Sequence, residues 1–500
     1  MRLGEALGGG VFLLLLNLMG SPLPGAQTSS TEDERPSVEQ LRQDPRVVEA
    51  IALFETWAEA MVAYQQLPGL SVGIVYDQDL VWSRGIGYAD VESRKPATPS
   101  TIYSICSISK LFTSIGVMQL RDQGKLGLDD PVADYIPWLD IQNTFPDGPP
   151  ITVRGILSHS SGLPRETGHS YWSGPGFPFP TRQQIIDRIT HLQTLYPART
   201  YYQYSNLGLT LAGELITQLS GQPYEEYMRV SVLKPIGLTD TTTQLPEAER
   251  GKRLSTGYAA LQRDGTRQRL PFFQAKGVSA AAGYASTVED LATFASWQFR
   301  VLKDQENRVL RGRTLREMQR VQWLDEDWNA GSHRGLGFDV WRERDRTLVG
   351  HGGGCPGYRT HLSLDPRQKV AAIVMINATG VNPNLFTSRA QQIVGGALKA
   401  AVESPGKGRS PDSSLQKYVG IYRSVWGEEA VVIREGELAV LSLPGGDPLG
   451  SLSKLKKHGE HTFRRVLADK ELGEVVRFEL DEQGRVTKKW RHGNYSDRVE

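Results

Sequence analysis

Apolar positions recur along this chain with two different periods. Val47, Ile51, Phe54, Trp57 and Met61 fall three or four residues apart, and Pro45 suits a first helical turn, so a helix is predicted from Pro45 to Tyr64. Residues 70–76 and 80–88 are strand-type runs joined by the short polar stretch 77–79, which predicts a hairpin. A helix followed by a hairpin suggests a sheet covered by helices. The helical period returns at Leu111, Ile115 and Met118, then over 181–192, 206–219 and 224–233. Loops rich in proline and glycine separate these pieces, and 168–180 is a long one with several aromatics. Residues 287–302 read as helix, with Ser286 or Thr287 as N-cap. Strand patterns follow at 336–343, 347–350, 358–364 and 370–377, and a helix is expected over 386–402.

The two ends of the chain differ from this body. Residues 403–414 have the Ser, Pro and Gly content of a linker. Beyond them, short strand patterns at 430–434, 438–443, 475–480 and 486–490 predict a small β-rich domain. At the other end, Arg2, the apolar run 11–19 and the exit through Pro22, Pro24, Gly25 and Ala26 fit a secretory signal peptide. The run is too short to span a bilayer, and the alternative is an N-terminal segment kept as a membrane tether. The expected organisation is signal peptide 1–26, flexible lead-in 27–43, main domain 44–402, linker 403–417 and β-rich domain 418–500. The net charge of +1 makes no electrostatic case for nucleic acid or an acidic membrane as partner. Two cysteines argue against a disulfide framework and against a Cys-based zinc site.

Candidate chemistry sits in three short stretches. The first is Ser107-x-x-Lys110, where one helical turn would bring an ammonium beside a hydroxyl. Six S-x-x-K matches occur in the chain, so this one needs support from elsewhere. The second stretch is Tyr204-Ser-Asn206 and the third is His351-Gly-Gly-Gly354, after a strand pattern. Each also fits a plain structural role: Tyr204 as a core aromatic, Asn206 as a helix cap, His351 as a satisfied histidine and the glycines as a turn.

Together, in this order, the three resemble the penicilloyl-serine transferase superfamily of class C β-lactamases, DD-peptidases and related esterases and D-aminopeptidases. Flanking stretches resemble it too, among them Leu157-Ser-His-Ser-Ser-Gly-Leu-Pro164 and Gly124-Lys-Leu-Gly-Leu-Asp-Asp-Pro131. The likeness covers roughly residues 67–402. It implies an α+β fold: an antiparallel sheet flanked by helices, with an inserted mostly helical region, here followed by the small β-rich domain. It implies Ser107 as nucleophile, Lys110 as the group that stabilises its alkoxide, and Tyr204 as a general base whose phenol Lys110 makes more acidic. Asn206 would hold the substrate amide or Lys110, and the N–H groups of Ser107 and Gly354 would bind the oxyanion. His351 stands where class C β-lactamases carry lysine, as a substrate-binding donor near the substrate carboxylate or the Tyr204–Lys110 pair; it can lose its charge near neutral pH, which argues against efficient penicillin hydrolysis. Gly353 and Gly354 would leave the strand bare for a bulkier substrate. No cofactor or metal is implied, and the partner is a small-molecule or peptide-like substrate.

Cys106 and Cys355 each adjoin a proposed oxyanion donor. Two separate buried thiols are the favoured expectation, with a disulfide as the alternative that a short Cα–Cα distance would allow. Gly69-Leu-Ser71-Val-Gly73 matches the nucleophile-elbow pattern, yet Ser71 lies in a predicted strand and not at a strand-to-helix turn. Asn377 and Asn494 begin glycosylation sequons. A serine hydrolase is the leading reading, and a catalytically dead binding protein of the same fold is the reading from another class.

Overall fold

The computed structural model describes residues 36–324, 332–410 and 412–499. The expected signal peptide, and the lead-in as far as residue 35, lie outside the described residues. Val38–Gln43, inside the stretch read as flexible lead-in, is a short helix that buries Leu41 and is capped reciprocally by Ser37 and Gln40.

An eight-stranded antiparallel sheet organises the main body. Its strands are β1 (Gly69–Tyr76), β2 (Asp79–Asp90), β3 (Lys95–Pro96), β4 (Ser332–Arg334), β5 (Asp339–Glu343), β6 (Arg346–Cys355), β7 (Tyr358–Asp365) and β8 (Val370–Ile376). They lie in the order β3-β2-β1-β8-β7-β6-β5-β4. The early hairpin therefore pairs with the last strand, and residues between β3 and β4 form the inserted, mostly helical region. The centre of the sheet is covered on both faces, which is why β8 reads as an unbroken apolar run and not as an alternation. Ala372, Val374 and Ile376 pack with the Pro45–Tyr64 helix and the C-terminal helix, while Ala371, Ile373 and Met375 face the core that holds the inserted helices.

Local signals explain most helix bounds. The Pro45–Tyr64 helix starts where the Asp44 carboxylate accepts the Arg46 N–H at 2.9 Å. Asn206–Ser220 is capped by Ser205 and ends at Gly221, whose φ of +71° suits glycine. Thr287 caps Val288–Leu302. The last helix runs from Pro383–Ala390 through a π-helical turn, Gln391–Gly395, into Gly396–Glu403.

Two elements exceed the sequence expectation. Strand β6 continues through the glycine run to Cys355, because backbone pairing with β7 needs no side chains. The β-rich tail closes into an eight-stranded barrel. Strands such as Ser453–Lys457, sequence SKLKK, escaped notice because their outward residues are charged. The barrel shares an apolar core with the Pro45–Tyr64 helix. The Glu49 carboxylate accepts the N–H groups of Glu435 at 2.6 Å and Gly436 at 3.0 Å, and Trp57 Nε1 donates to the Gly445 carbonyl at 2.6 Å. Among the described residues no helix is long and apolar enough to cross a membrane.

Candidate active site

From Thr101 to Met118 every residue is buried except Ser107. The chain reaches this point through Tyr103–Ser104, paired with Ala285–Ser286, and then turns in a 3₁₀ turn, Cys106–Ile108, before the helix Ser109–Asp122. Cys106 adopts a left-handed φ of +51°, unusual for a residue with a side chain, and this turns the backbone under Ser107.

Strand β6 lies directly against that turn, and Gly353 is what permits it. A Cβ on Gly353 would run into Thr360 Oγ1 and the Ile105 carbonyl and sit 3.2 Å from Cys106 Cβ. Cys355, two residues on and thus on the same face, is joined to Cys106 in a disulfide with a Cα–Cα distance of 5.7 Å. The expectation of two separate thiols is corrected: close backbone contact at Gly353 brings the two cysteines together. The idea that Gly353 and Gly354 leave room for substrate is corrected as well. The face of Gly353 is filled by the Ser107 turn, and a Cβ on Gly354 would collide with the Arg359 guanidinium.

Lys110 follows Ser107 by one turn and is fully buried. Its Nζ lies 3.2 Å from Ser107 Oγ, 2.8 Å from Asn206 Oδ1 and 2.8 Å from the Ala281 carbonyl. The Asn206 orientation is set from behind, since its Nδ2 donates to both carboxylate oxygens of Glu166 at 3.0 Å. Burial lowers the Lys110 pKa to about 7, against the opposing pull of the Glu166 carboxylate.

Tyr204 stands beside Ser107, whose side chain favours the phenolate form. Its ring stacks on His159 at 4.4 Å, with Lys110 Nζ 4.7 Å and the Arg165 guanidinium 4.8 Å from the ring centre. Burial raises the phenol pKa above its ordinary value. This reverses the sequence expectation that Lys110 would make Tyr204 more acidic: loss of water outweighs the nearby cations, and the phenol keeps its proton at neutral pH.

His351 is buried on β6, its ring 6.3 Å from that of Tyr204. Its Nδ1 lies 2.6 Å from the Gly352 carbonyl and its Nε2 4.0 Å from Asp339 Oδ1. Burial lowers its pKa despite Asp339, so the ring is uncharged near pH 7. Ser107, Asn206 and Gly354 line a cleft of about 550 Å³, whereas His351 and Gly353 are not among its lining residues. Trp172 and Phe177 of the 168–180 loop line it too. A larger hollow of about 780 Å³ lies between the Pro45–Tyr64 helix and the barrel but holds no comparable serine–lysine pair, so size alone does not locate the site.

Several site residues escaped the sequence reading. Glu166 follows the Leu157–Pro164 stretch by two residues, and nothing local marks it as the group behind Asn206. His159 lies inside that stretch, and its Nδ1 accepts the Ser205 N–H at 3.1 Å, so it shapes the approach to Tyr204. Ser71 is buried in β1, with its Oγ 2.8 Å from both the Thr98 carbonyl and the Tyr103 hydroxyl, and is no elbow nucleophile. Asn377 is buried with its Nδ2 bonded to three carbonyls, which closes that sequon to modification in the folded chain.

The chain matches the Beta-lactamase family model over residues 54–394 and belongs to that family. It is 26% identical over 353 residues to Beta-lactamase-like protein 2 of Dictyostelium discoideum, covering 69% of this chain and 63% of that one. It is 22% identical to Penicillin-binding protein 4* of Bacillus subtilis, covering 73% of this chain and 82% of the relative. The chain thus spans less than two thirds of the Dictyostelium relative. Among solved structures, the octameric penicillin-binding protein homologue from Pyrococcus abyssi is similar with a TM-score of 0.62 at 25% identity, over 89% of this chain and 99% of that one. A D-stereospecific amidohydrolase from Streptomyces shares the fold with a TM-score of 0.56 at 24% identity, over 68% of this chain and 97% of that one. Family membership and the likeness to the Bacillus relative support serine hydrolase or acyl-transfer chemistry in general, while the Streptomyces structure shows the fold alone.

Proposed function

We propose that this chain is an exported serine hydrolase that cleaves an amide or ester bond through an acyl-enzyme on Ser107. One observation carries the reading: the single open residue in a buried run is a serine with a buried lysine amine 3.2 Å from its oxygen. Lys110, with its pKa near 7, is substantially neutral at physiological pH. Two of its three partners are carbonyl oxygens, which only accept. They take the two N–H groups of the neutral amine, and its lone pair is left for the Ser107 hydroxyl.

As Ser107 Oγ bonds to the substrate carbonyl carbon, its proton passes to Lys110 and the carbonyl oxygen becomes an oxyanion. The N–H groups of Ser107 and Gly354 are the donors assigned to it. Collapse breaks the bond to the leaving nitrogen or oxygen, which takes the Tyr204 proton while Tyr204 takes one from Lys110. Tyr204 acts here as a proton relay that starts protonated, in keeping with its raised pKa. Water then attacks the acyl-enzyme by the same route and restores Ser107. His351 sits behind Tyr204 as an uncharged neighbour. The scheme calls on no metal or organic cofactor. A disulfide beside the nucleophile supports an oxidising compartment, in line with the signal-peptide features.

The second reading, a β-lactamase or DD-carboxypeptidase acting on peptidoglycan-type substrates, draws on the likeness to Penicillin-binding protein 4*. Incubation with a fluorophosphonate and with a fluorescent penicillin, for wild type and Ser107→Ala, tests both. The serine hydrolase reading expects covalent labelling that Ser107→Ala abolishes. Labelling by neither probe would favour a binding protein. Short-chain esters, D-aminoacyl amides and a chromogenic cephalosporin then sort the substrate class.

A further inference from the structure

The barrel carries two large apolar side chains at one hairpin tip. Strands Gly420–Ser424 and Gly427–Arg434 are joined by Val425 and Trp426, each 94% exposed. A two-residue turn is served best by Gly, Asn, Asp or Ser, so turn geometry does not account for a β-branched residue and an indole at this place. The hollow of about 780 Å³ between the Pro45–Tyr64 helix and the barrel begins at the base of the same hairpin. Arg423 and Glu428, opposed across the two strands, line it. Its walls mix the exposed apolar groups Tyr64 and Val499 and the half-buried Ile421 with the carboxylates of Glu59 and Glu428. Ser424 and Gly427 pair one step beyond Arg423 and Glu428 and carry the hairpin past the hollow. The tip therefore points away from the hollow beside it and leaves it open.

We propose that a second copy of this chain docks here through a two-fold contact, in which Val425 and Trp426 of each copy enter the hollow of the other. A two-fold contact needs one surface complementary to itself, and a projecting tip beside an open hollow is such a surface. The axis passes beside the Arg423–Glu428 pair. Each buried indole removes about 200 Å² from water. Two indoles, with the two valines and the walls they cover, bring the contact to about 1,200 Å², the lower end for a specific interface. The indole N–H needs an acceptor once buried, and the Glu59 and Glu428 carboxylates of the facing copy supply one. An aromatic anchor in a pocket rimmed by charged groups has the make-up of an interface hot spot.

Sedimentation velocity over about 0.1 to 100 µM tests it, a range that reaches the weaker end for interfaces of this size. The protein is expected to sediment as a dimer at the upper end. Val425→Ser/Trp426→Asn places good turn formers on a backbone where neither residue has a left-handed φ. Its melting temperature at the dilute end should match wild type, while its dissociation constant for the dimer rises by roughly 10³-fold, because each change acts twice in a two-fold contact. Ala63→Arg, at an exposed helix position that lines the hollow, should dissociate the dimer with the tip intact. A monomer throughout the range, an open assembly that keeps growing with concentration, or a dimer that survives either variant would overturn the proposal. Flotation of the monomer on phosphatidylcholine vesicles that is lost in the tip variant would overturn it too, by assigning the tip to a bilayer surface.

Discussion

Cutting the Cys106–Cys355 disulfide, by a dithiol or by the double change Cys106→Ala/Cys355→Ala, has two separable consequences. The first is global. The bridge closes a loop with a sequence separation of 249 residues. Chain-entropy arithmetic for so long a loop gives about 5 kcal/mol of stabilisation through the unfolded state. With an unfolding entropy of about 2.1 cal/mol/K per residue, a chain of this size carries about 1 kcal/mol/K, so the melting temperature should fall by roughly 5 °C. The second consequence is local. Cys106 is held at a φ of +51°, a conformation that costs a side-chain-bearing residue about 1–2 kcal/mol. The bridge and the close contact at Gly353 together hold it there. Without the bridge the turn can relax, and the Ser107 N–H shifts relative to Gly354. The rate of Ser107 labelling by a fluorophosphonate should then drop by more than the unfolded fraction explains. Calorimetry and labelling kinetics at 25 °C, well below either melting point, separate the two effects. A double variant that melts within 1 °C of wild type and labels at the same rate would refute both parts of the reasoning.

Other outcomes follow from the same geometry. The kcat/KM of the hydrolase should rise with pH through about 7, because Lys110 accepts a proton only after losing its own; a profile flat from pH 5 to 9 would contradict this. Glu166→Gln removes a charge that holds the Lys110 pKa up, so the acid limb should move to lower pH, a shift that a purely structural role would not produce. Tyr204→Phe should lower kcat by roughly 10²-fold or more with little change in KM, read in steady-state assays with the ester that the panel identifies. Gly353→Ala forces a methyl into Thr360 and the Ile105 carbonyl, which should destabilise by about 1–3 kcal/mol and depress Ser107 labelling, measured by melting and by probe kinetics.

Much of the frame was legible in local pattern. The Pro45–Tyr64 helix was placed to the residue because its apolar period is regular and Pro45 suits a first turn; the Asp44 cap emerged only in the structure. The periods of strand and helix suggested a sheet covered by helices; the α+β class and the roles of Ser107, Lys110, Tyr204 and Asn206 came from the family resemblance that their three motifs carry together, since each motif alone also fits a plain structural role. The barrel was legible only in part, because strands whose outward residues are charged lack the alternation that marks the others.

What the sequence by itself determined is therefore which residue types stand where: a serine and a lysine one helical turn apart, a tyrosine before a helix cap, and glycines at the end of a strand. The tertiary structure decided what those residues can do. Burial set the two proton-handling groups, leaving Lys110 near pH 7 and Tyr204 protonated, and a sequence does not display desolvation. Contacts between distant segments put Glu166 behind Asn206, joined Cys106 to Cys355 across a separation of 249 residues and laid Arg359 over Gly354. These are properties of neighbours in space, and they exist only once β6 lies against the Ser107 turn.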